Sequence, residues 1–133
     1  MVEYVISLDK LGAHDVERVG GKNASLGEMI SNLAHAGVAV PGGFATTAQA
    51  YRDFLELSGL NDQIHDALDA LDVDDVNALA KAGAEIRQSI MEAEFPERLN
   101  EEIRRAFAEM SAGNQHMAVA VRSSATAEDL PDA

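Results

Sequence analysis

The chain has 133 residues, 47% of them hydrophobic and 25% charged, which suits one globular domain with a core of its own. With no cysteine, it has no disulfide frame, no thiolate metal site and no cysteine nucleophile. A net charge of -13, from 23 acids against 10 bases, repels nucleic acid and anionic membrane over most of the surface.

In chain order, Tyr4-Val5-Ile6-Ser7-Leu8 is a short apolar run bounded by Asp9 and Gly12 and reads as a strand near 3–7. Leu11 to Arg18 is a connector in which Asp15 can act as a cap. Met1-Val2-Glu3-Tyr4 opens no signal peptide and no apolar run is long enough to span a membrane, so the expectation is a cytoplasmic protein.

Val19-Gly20-Gly21-Lys22-Asn23-Ala24-Ser25-Leu26-Gly27-Glu28-Met29 follows, and it is the stretch that asks for a chemical explanation. Leu26, Met29, Ile30 and Leu33 recur at the steps of one helix face, and Gly37 stops the run, so a helix is predicted near 22–36. Lys22 then stands at the positive end of the helix dipole, where a cation is unfavourable unless an anion meets it. Gly20 and Gly21 allow a close backbone approach and aim amides at such an anion. A plain Gly-Gly turn with a solvated lysine is the simpler alternative. The stretch is not a Walker loop, because Val16 and Asn23 stand where that motif needs glycine and a hydroxyl. Ser25 and Glu28 form a capping-box pattern that competes for the helix start.

Pro41-Gly42-Gly43 breaks any helix, and Phe44-Ala45 can form a brief strand. Thr46, with Gln49 three residues on, offers a capping box to a helix near 47–57, whose inward stripe is Ala48, Tyr51, Phe54 and Leu55. Asn61 can cap a helix near 62–71, with Ile64, Ala67, Leu68 and Leu71 inward. Asp74 or Asp75 can cap one near 75–93, with Leu79, Ala82, Ile86 and Ile90 inward and Gly83 inside it. Pro96 opens one near 97–111, with Leu99, Ile103, Ala106, Phe107 and Met110 on one face. Between Asp53 and Ala80 there is no lysine or arginine, and the acids there read as a solvated outer face.

Met117-Ala118-Val119-Ala120-Val121-Arg122 reads as a strand near 117–122. Alternation would set Arg122 on a face kept clear by Ala118 and Ala120. An edge-strand arginine in a surface ion pair is the simpler alternative. Three hydroxyls, on Ser123, Ser124 and Thr126, and the carboxylates Glu128 and Asp129 follow. Strand ends are where nucleotide sites of α/β proteins are built.

Three stretches together resemble the phosphoenolpyruvate synthase (pyruvate, water dikinase) family: Val19 to Met29, Gly43-Phe44-Ala45-Thr46-Thr47, and Val121-Arg122-Ser123-Ser124-Ala125-Thr126-Ala127-Glu128-Asp129-Leu130-Pro131-Asp132-Ala133. The match runs in order along the chain; Gly42, where relatives often carry a second proline, is a departure that bears on loop stiffness. The resemblance implies a helix-rich α/β fold, with residues 1–133 forming the N-terminal part of an ATP-grasp nucleotide-binding domain of the pyruvate, phosphate dikinase type. It implies that Lys22 and Arg122 contact ATP phosphates, with Gly20, Gly21, Ser123, Ser124 and Thr126 as candidates for further phosphate or ribose contacts. Glu128 and Asp129 are read as capping or orienting the loop rather than binding metal. The family phosphorylates a histidine carrier with ATP and passes the phosphoryl group to pyruvate, giving phosphoenolpyruvate, AMP and phosphate. The carboxylates for Mg²⁺, the carrier histidine and the pyruvate-binding barrel are expected outside these residues, so no catalytic residue and no metal ligand is assigned here, and these 133 residues alone are expected to be inactive. His14, His35, His65 and His116 lack the Gly-rich setting of the carrier and read as ordinary histidines. A homodimer of the full-length enzyme is compatible with this reading. A dikinase with another acceptor, or an acidic helical binding module, are the alternatives.

Overall fold

The computed structural model describes residues 2–112, 114 and 116–127. The order of elements is β1 (Val5–Ser7), short 3-10 turns at Leu8–Lys10 and Ala13–Asp15, α1 (Val16–Val19), α2 (Gly21–His35), β2 (Phe44–Thr46), α3 (Ala48–Leu57), α4 (Leu60–Asp69), α5 (Val76–Glu92) and α6 (Glu97–Ser111). Five of the helices lie where their periodicity puts them. The chain divides into two compact units, one of residues 1–51 and 97–133 and one of residues 52–96, so that α3 passes from the first to the second after Tyr51.

In the first unit, β1 and β2 pair antiparallel with Val5 opposite Thr46, Ile6 opposite Ala45 and Ser7 opposite Phe44. The Leu8 amide extends the ladder by donating to the Gly43 carbonyl at 2.9 Å. So short a ribbon is marginal by itself; here it is sandwiched by apolar packing. Ile6, Leu8, Leu11, Val19 and Ala45 form one buried cluster, with Leu26 and Ile30 of α2 against it. Tyr4, Ala50 and Leu99 form another, flanked by Val5 and Ile103. The Arg98 guanidinium lies 3.8 Å from the centre of the Tyr4 ring, and its Nε donates to Glu102 at 2.7 Å, so one side chain closes this cluster and serves an ion pair on α6.

Helix α2 packs by small residues more than by its apolar stripe. Gly21, Ala24 and Gly27 are its buried positions, whereas Met29 is exposed. A methyl group on Gly27 would run into the Leu11 backbone, its carbonyl carbon and Cβ both 2.7 Å away. The helix ends in a Schellman motif: Gly37 has φ of 78°, Val38 donates to the Leu33 carbonyl at 2.9 Å and Gly37 to that of Ala34 at 3.2 Å.

Thr47, rather than Thr46, starts α3. Its hydroxyl accepts from the Ala50 amide at 3.1 Å and donates to the Glu3 carbonyl at 2.8 Å, tying the cap to the chain before β1. Ser25 and Glu28 are likewise no helix start, since α2 already begins at Gly21; the Glu28 carboxylate instead accepts from the Ala13 amide at 2.8 Å.

In the second unit, Gly59 at φ 75° is the residue before α4, so Asn61 lies inside that helix and does not cap it. Asp75 caps α5, accepting from the Ala78 amide at 3.1 Å. The Phe54 and Phe95 rings meet edge to face, with centroids 5.4 Å apart, and Gln63 donates to Ser89 at 3.0 Å between α4 and α5. Glu56, Asp62, Asp66, Asp69, Asp72, Asp74 and Asp75 are all exposed, as a solvated acidic face requires.

The expected strand near 117–122 does not form. Among the described residues the sheet is β1 and β2 alone, and residues 117–122 are exposed, with Val121 at 93%. A strand persists only when its amides and carbonyls find a ladder, and no described segment offers one. The reading of Arg122 as projecting from a face cleared by Ala118 and Ala120 therefore falls with the strand. Glu128 and Asp129 lie outside the described residues.

Candidate functional site

The site is built on the Gly-Gly turn. α1 ends when the Gly20 amide donates to the Val16 carbonyl at 2.8 Å, and Gly20 then turns the chain with φ 86° and ψ 164°. Only glycine adopts such a backbone without strain. α2 restarts at Gly21, with the Ala24 amide bonded to the Gly20 carbonyl at 3.1 Å. The Asn23 side chain reaches back to donate to the Val19 carbonyl at 2.9 Å, clamping the two helices across the turn. Thus the residue that stands where a Walker loop needs a hydroxyl has a structural task of its own.

The first turn of α2 has no acidic residue, so no side chain of its own offsets the positive helix end. Lys22 is exposed in that turn. The segment after Arg122 lies against the same turn: the Gly21 amide donates to the Ala125 carbonyl at 3.1 Å, and the Asn23 amide to Ser124 Oγ at 3.4 Å. Two motifs a hundred residues apart in sequence are in hydrogen-bond contact on either side of Lys22. Arg122, two residues before Ser124, is held by chain length within about 7 Å of it, Cα to Cα. Ser123 and Thr126 are exposed beside the half-buried Ser124. The Gly21 amide, which the sequence pattern aims at an anion, is here engaged by protein.

Behind the turn, Asp15 is buried at 2% exposure. It does not cap α1 through its side chain. Its carboxylate accepts from the Gly12 amide at 3.0 Å and from Arg18 Nη1 at 2.9 Å, with His14 Nε2 3.4 Å away. The Gly12 hydrogen bond holds its pKa below the usual carboxylate value against the opposing effect of burial, with Arg18 and His14 adding to the lowering. Sequence reasoning missed this clasp, since an Asp three residues before an Arg is too common a pattern to single out. Apolar depressions lie elsewhere on the unit; one of about 390 Å³ is lined by Val16, Ala24, Met29 and Leu33 among others, without Lys22 or Arg122. All four histidines are exposed. Among the described residues no group of three or more His, Asp or Glu could hold a metal ion, and no helix is long and apolar enough to cross a membrane.

A family model described as the pyruvate phosphate dikinase AMP/ATP-binding domain matches residues 16–133, from the start of α1 and through both halves of the site. The chain belongs to this family. The chain is 83% identical over 133 residues to a phosphoenolpyruvate synthase of Pseudomonas aeruginosa, covering 100% of the chain and 17% of that protein. It is 61% identical over 132 residues to one of Neisseria meningitidis, covering 98% and 17%, and 57% identical over 129 residues to one of Escherichia coli, covering 97% and 16%. The chain thus spans about a sixth of the length of these curated relatives. Within the pyruvate phosphate dikinase AMP/ATP-binding family, the matched region leaves out β1 and takes in the Gly-Gly turn, α2 and the hydroxyl-bearing segment that docks on it.

Proposed function

We propose that residues 1–133 are the N-terminal part of the ATP-binding domain, of the ATP-grasp type, of a phosphoenolpyruvate synthase. Lys22 and Arg122 bind the ATP phosphates and offset charge that develops during phosphoryl transfer. Ser123 and Thr126 flank them at the phosphates or ribose, and Gly20, Gly21 and Ser124 complete the wall. The observation that supports this reading is the docking of Ser124 and Ala125, just after Arg122 in sequence, on residues 20–23 at the positive end of α2, in a chain of net charge -13. In such surroundings a few converging cations focus a local field that favours an anion.

The whole enzyme would convert pyruvate, ATP and water to phosphoenolpyruvate, AMP and phosphate through a phosphohistidine carrier, in the cytoplasm, with pyruvate bound by another domain and a homodimer as the assembly. Magnesium would serve ATP, but two carboxylates of the first unit are already engaged by protein. Asp15 is taken by Gly12 and Arg18, and Glu28 by Ala13. Following the family resemblance, the ligands of magnesium are assigned to other parts of the enzyme.

Two assays on the intact protein test this. Lys22→Ala and Arg122→Ala are each expected to slow labelling of the carrier by ATP by about one to two powers of ten, from the loss of a charge-assisted contact. Exchange between pyruvate and phosphoenolpyruvate should stay near normal, because that half-reaction does not touch ATP. Equal loss in both assays would mean a folding defect, and no loss in either would remove both residues from the site.

A further inference from the structure

Gly20 has an exacting neighbour. A Cβ built on it would collide with Ser124 Oγ and lie 2.9 Å from the Ala125 nitrogen and 3.0 Å from the Ala125 oxygen. The space that glycine leaves is therefore filled by the docked segment, not held open for a ligand. The two neighbouring hydrogen bonds act in the same sense. The Gly21 amide is satisfied by the Ala125 carbonyl and the Asn23 amide by the Ser124 hydroxyl. Both are first-turn donors of α2, which have no partner within their own helix. Three features of the turn thus face one short segment: a missing side chain at Gly20 and the amides of Gly21 and Asn23.

We infer that Gly20, Gly21 and Ser124 are positioning residues, which seat the segment after Arg122 on the start of α2 and so set Arg122 beside Lys22. The inference rests on the ATP reading above and revises the part these three residues play in it. The glycines act through the loop, and the charge that meets the phosphates comes from the two cationic side chains. Ser124 contributes its oxygen to Asn23 and its bulk to the space over Gly20.

The test is a double-mutant cycle in the intact protein, with Gly20→Ala, Arg122→Ala and the pair, read by ATP labelling of the carrier and by hydrogen exchange at the amides of residues 21–23. If Gly20 acts by seating Arg122, Gly20→Ala alone slows labelling on the order of ten- to a hundredfold, much as Arg122→Ala does. Added to Arg122→Ala, it should then cost less than about threefold more, because residues acting as one unit are not additive. Losses that multiply would overturn the inference, since they would mean that Gly20 meets ATP independently of the loop. The Gly21 and Asn23 amides should exchange faster in Gly20→Ala, and unchanged exchange would also overturn it. Should Gly20→Ala fail to fold, Ser124→Ala removes only the hydroxyl. The Asn23 amide should then exchange about two- to tenfold faster, and no change there would contradict the seating. If Arg122→Ala by itself leaves labelling intact, the ATP reading fails, while exchange still decides whether the loop is seated by Gly20.

Discussion

The two units of this chain solve the same folding problem with different means. Residues 2–51 and 97–127 contain both buried clusters and the buried polar groups Asp15, Thr47 and Ser111. Residues 52–96 bury only Phe54 and Leu60 fully, and leave Leu57, Val73, Val76 and Met91 well exposed. The acids are unevenly divided too, since seven exposed carboxylates lie between Glu56 and Asp75 with no lysine or arginine among them. The difference teaches where precision is needed. The first unit fixes a turn, a cap and a docked segment through short polar contacts, and those contacts frame the candidate site. The second is amphipathic helix, joined among other contacts by the Phe54–Phe95 pair and the Gln63–Ser89 hydrogen bond, and carries no such constellation among its described residues.

The largest expected effect that sharpens this contrast is on stability. Leu99→Ala, in the cluster with Tyr4 and Ala50, should destabilise the protein by about 2–5 kcal/mol. Met91→Ala, at an exposed site of the second unit, should change it by about 0.5 kcal/mol or less. Denaturant unfolding of the two variants checks this, and equal losses would erase the contrast.

Gly27→Ala comes next. The added methyl meets the Leu11 backbone, which cannot swing aside as a side chain can. A loss of about 1–3 kcal/mol is expected from overpacking, seen in the same unfolding measurement. No loss would mean that α2 and the Leu11 segment are less closely packed than described.

A smaller effect should appear with acid. The Asp15 carboxylate is held below its usual value of 3.8 in the fold. Its contribution is therefore present above about that pH and is lost as the pH falls through the lower folded value. Asp15→Asn should destabilise the first unit at neutral pH, with the difference from wild type shrinking below pH 3.8. Thermal melts across that range check the sign, and a difference that grows toward acid would contradict it.

The smallest effect is a gain. Gly83 lies inside α5, and an added methyl would meet only the mobile end of Arg87, at 3.2 Å. Gly83→Ala should stabilise by about 0.5–1 kcal/mol through helix propensity, and a loss in the melting temperature would show a packing role not visible here.

The legibility of the sequence follows the same division. Helices α2 to α6 were readable because local periodicity sets them, and Gly37 and Asp75 were readable because a stop and a cap are local chemistry. The choice of Thr47 over Thr46 was not, because it depends on the Glu3 carbonyl 44 residues away. The strand near 117–122 was misread because alternation describes a strand's faces but cannot supply its ladder. Both stretches of the candidate site were visible as oddities of position, Lys22 at a positive helix end and Arg122 before a run of hydroxyls. That Gly20 and Gly21 meet the Ser124 segment was invisible, since spacing along the chain carries no record of a contact over a hundred residues.

The central claim is that Lys22 and Arg122 serve one anion, and titration of a non-hydrolysable ATP analogue into the intact protein tests it most directly. Wild type, Lys22→Ala, Arg122→Ala and the double variant are compared by calorimetry. Each single variant should bind about ten- to a hundredfold more weakly. The double variant should lose a different factor from the product of the two, because cations on one triphosphate are coupled. Unchanged affinity in either single variant, or losses that multiply without coupling, would contradict a shared site.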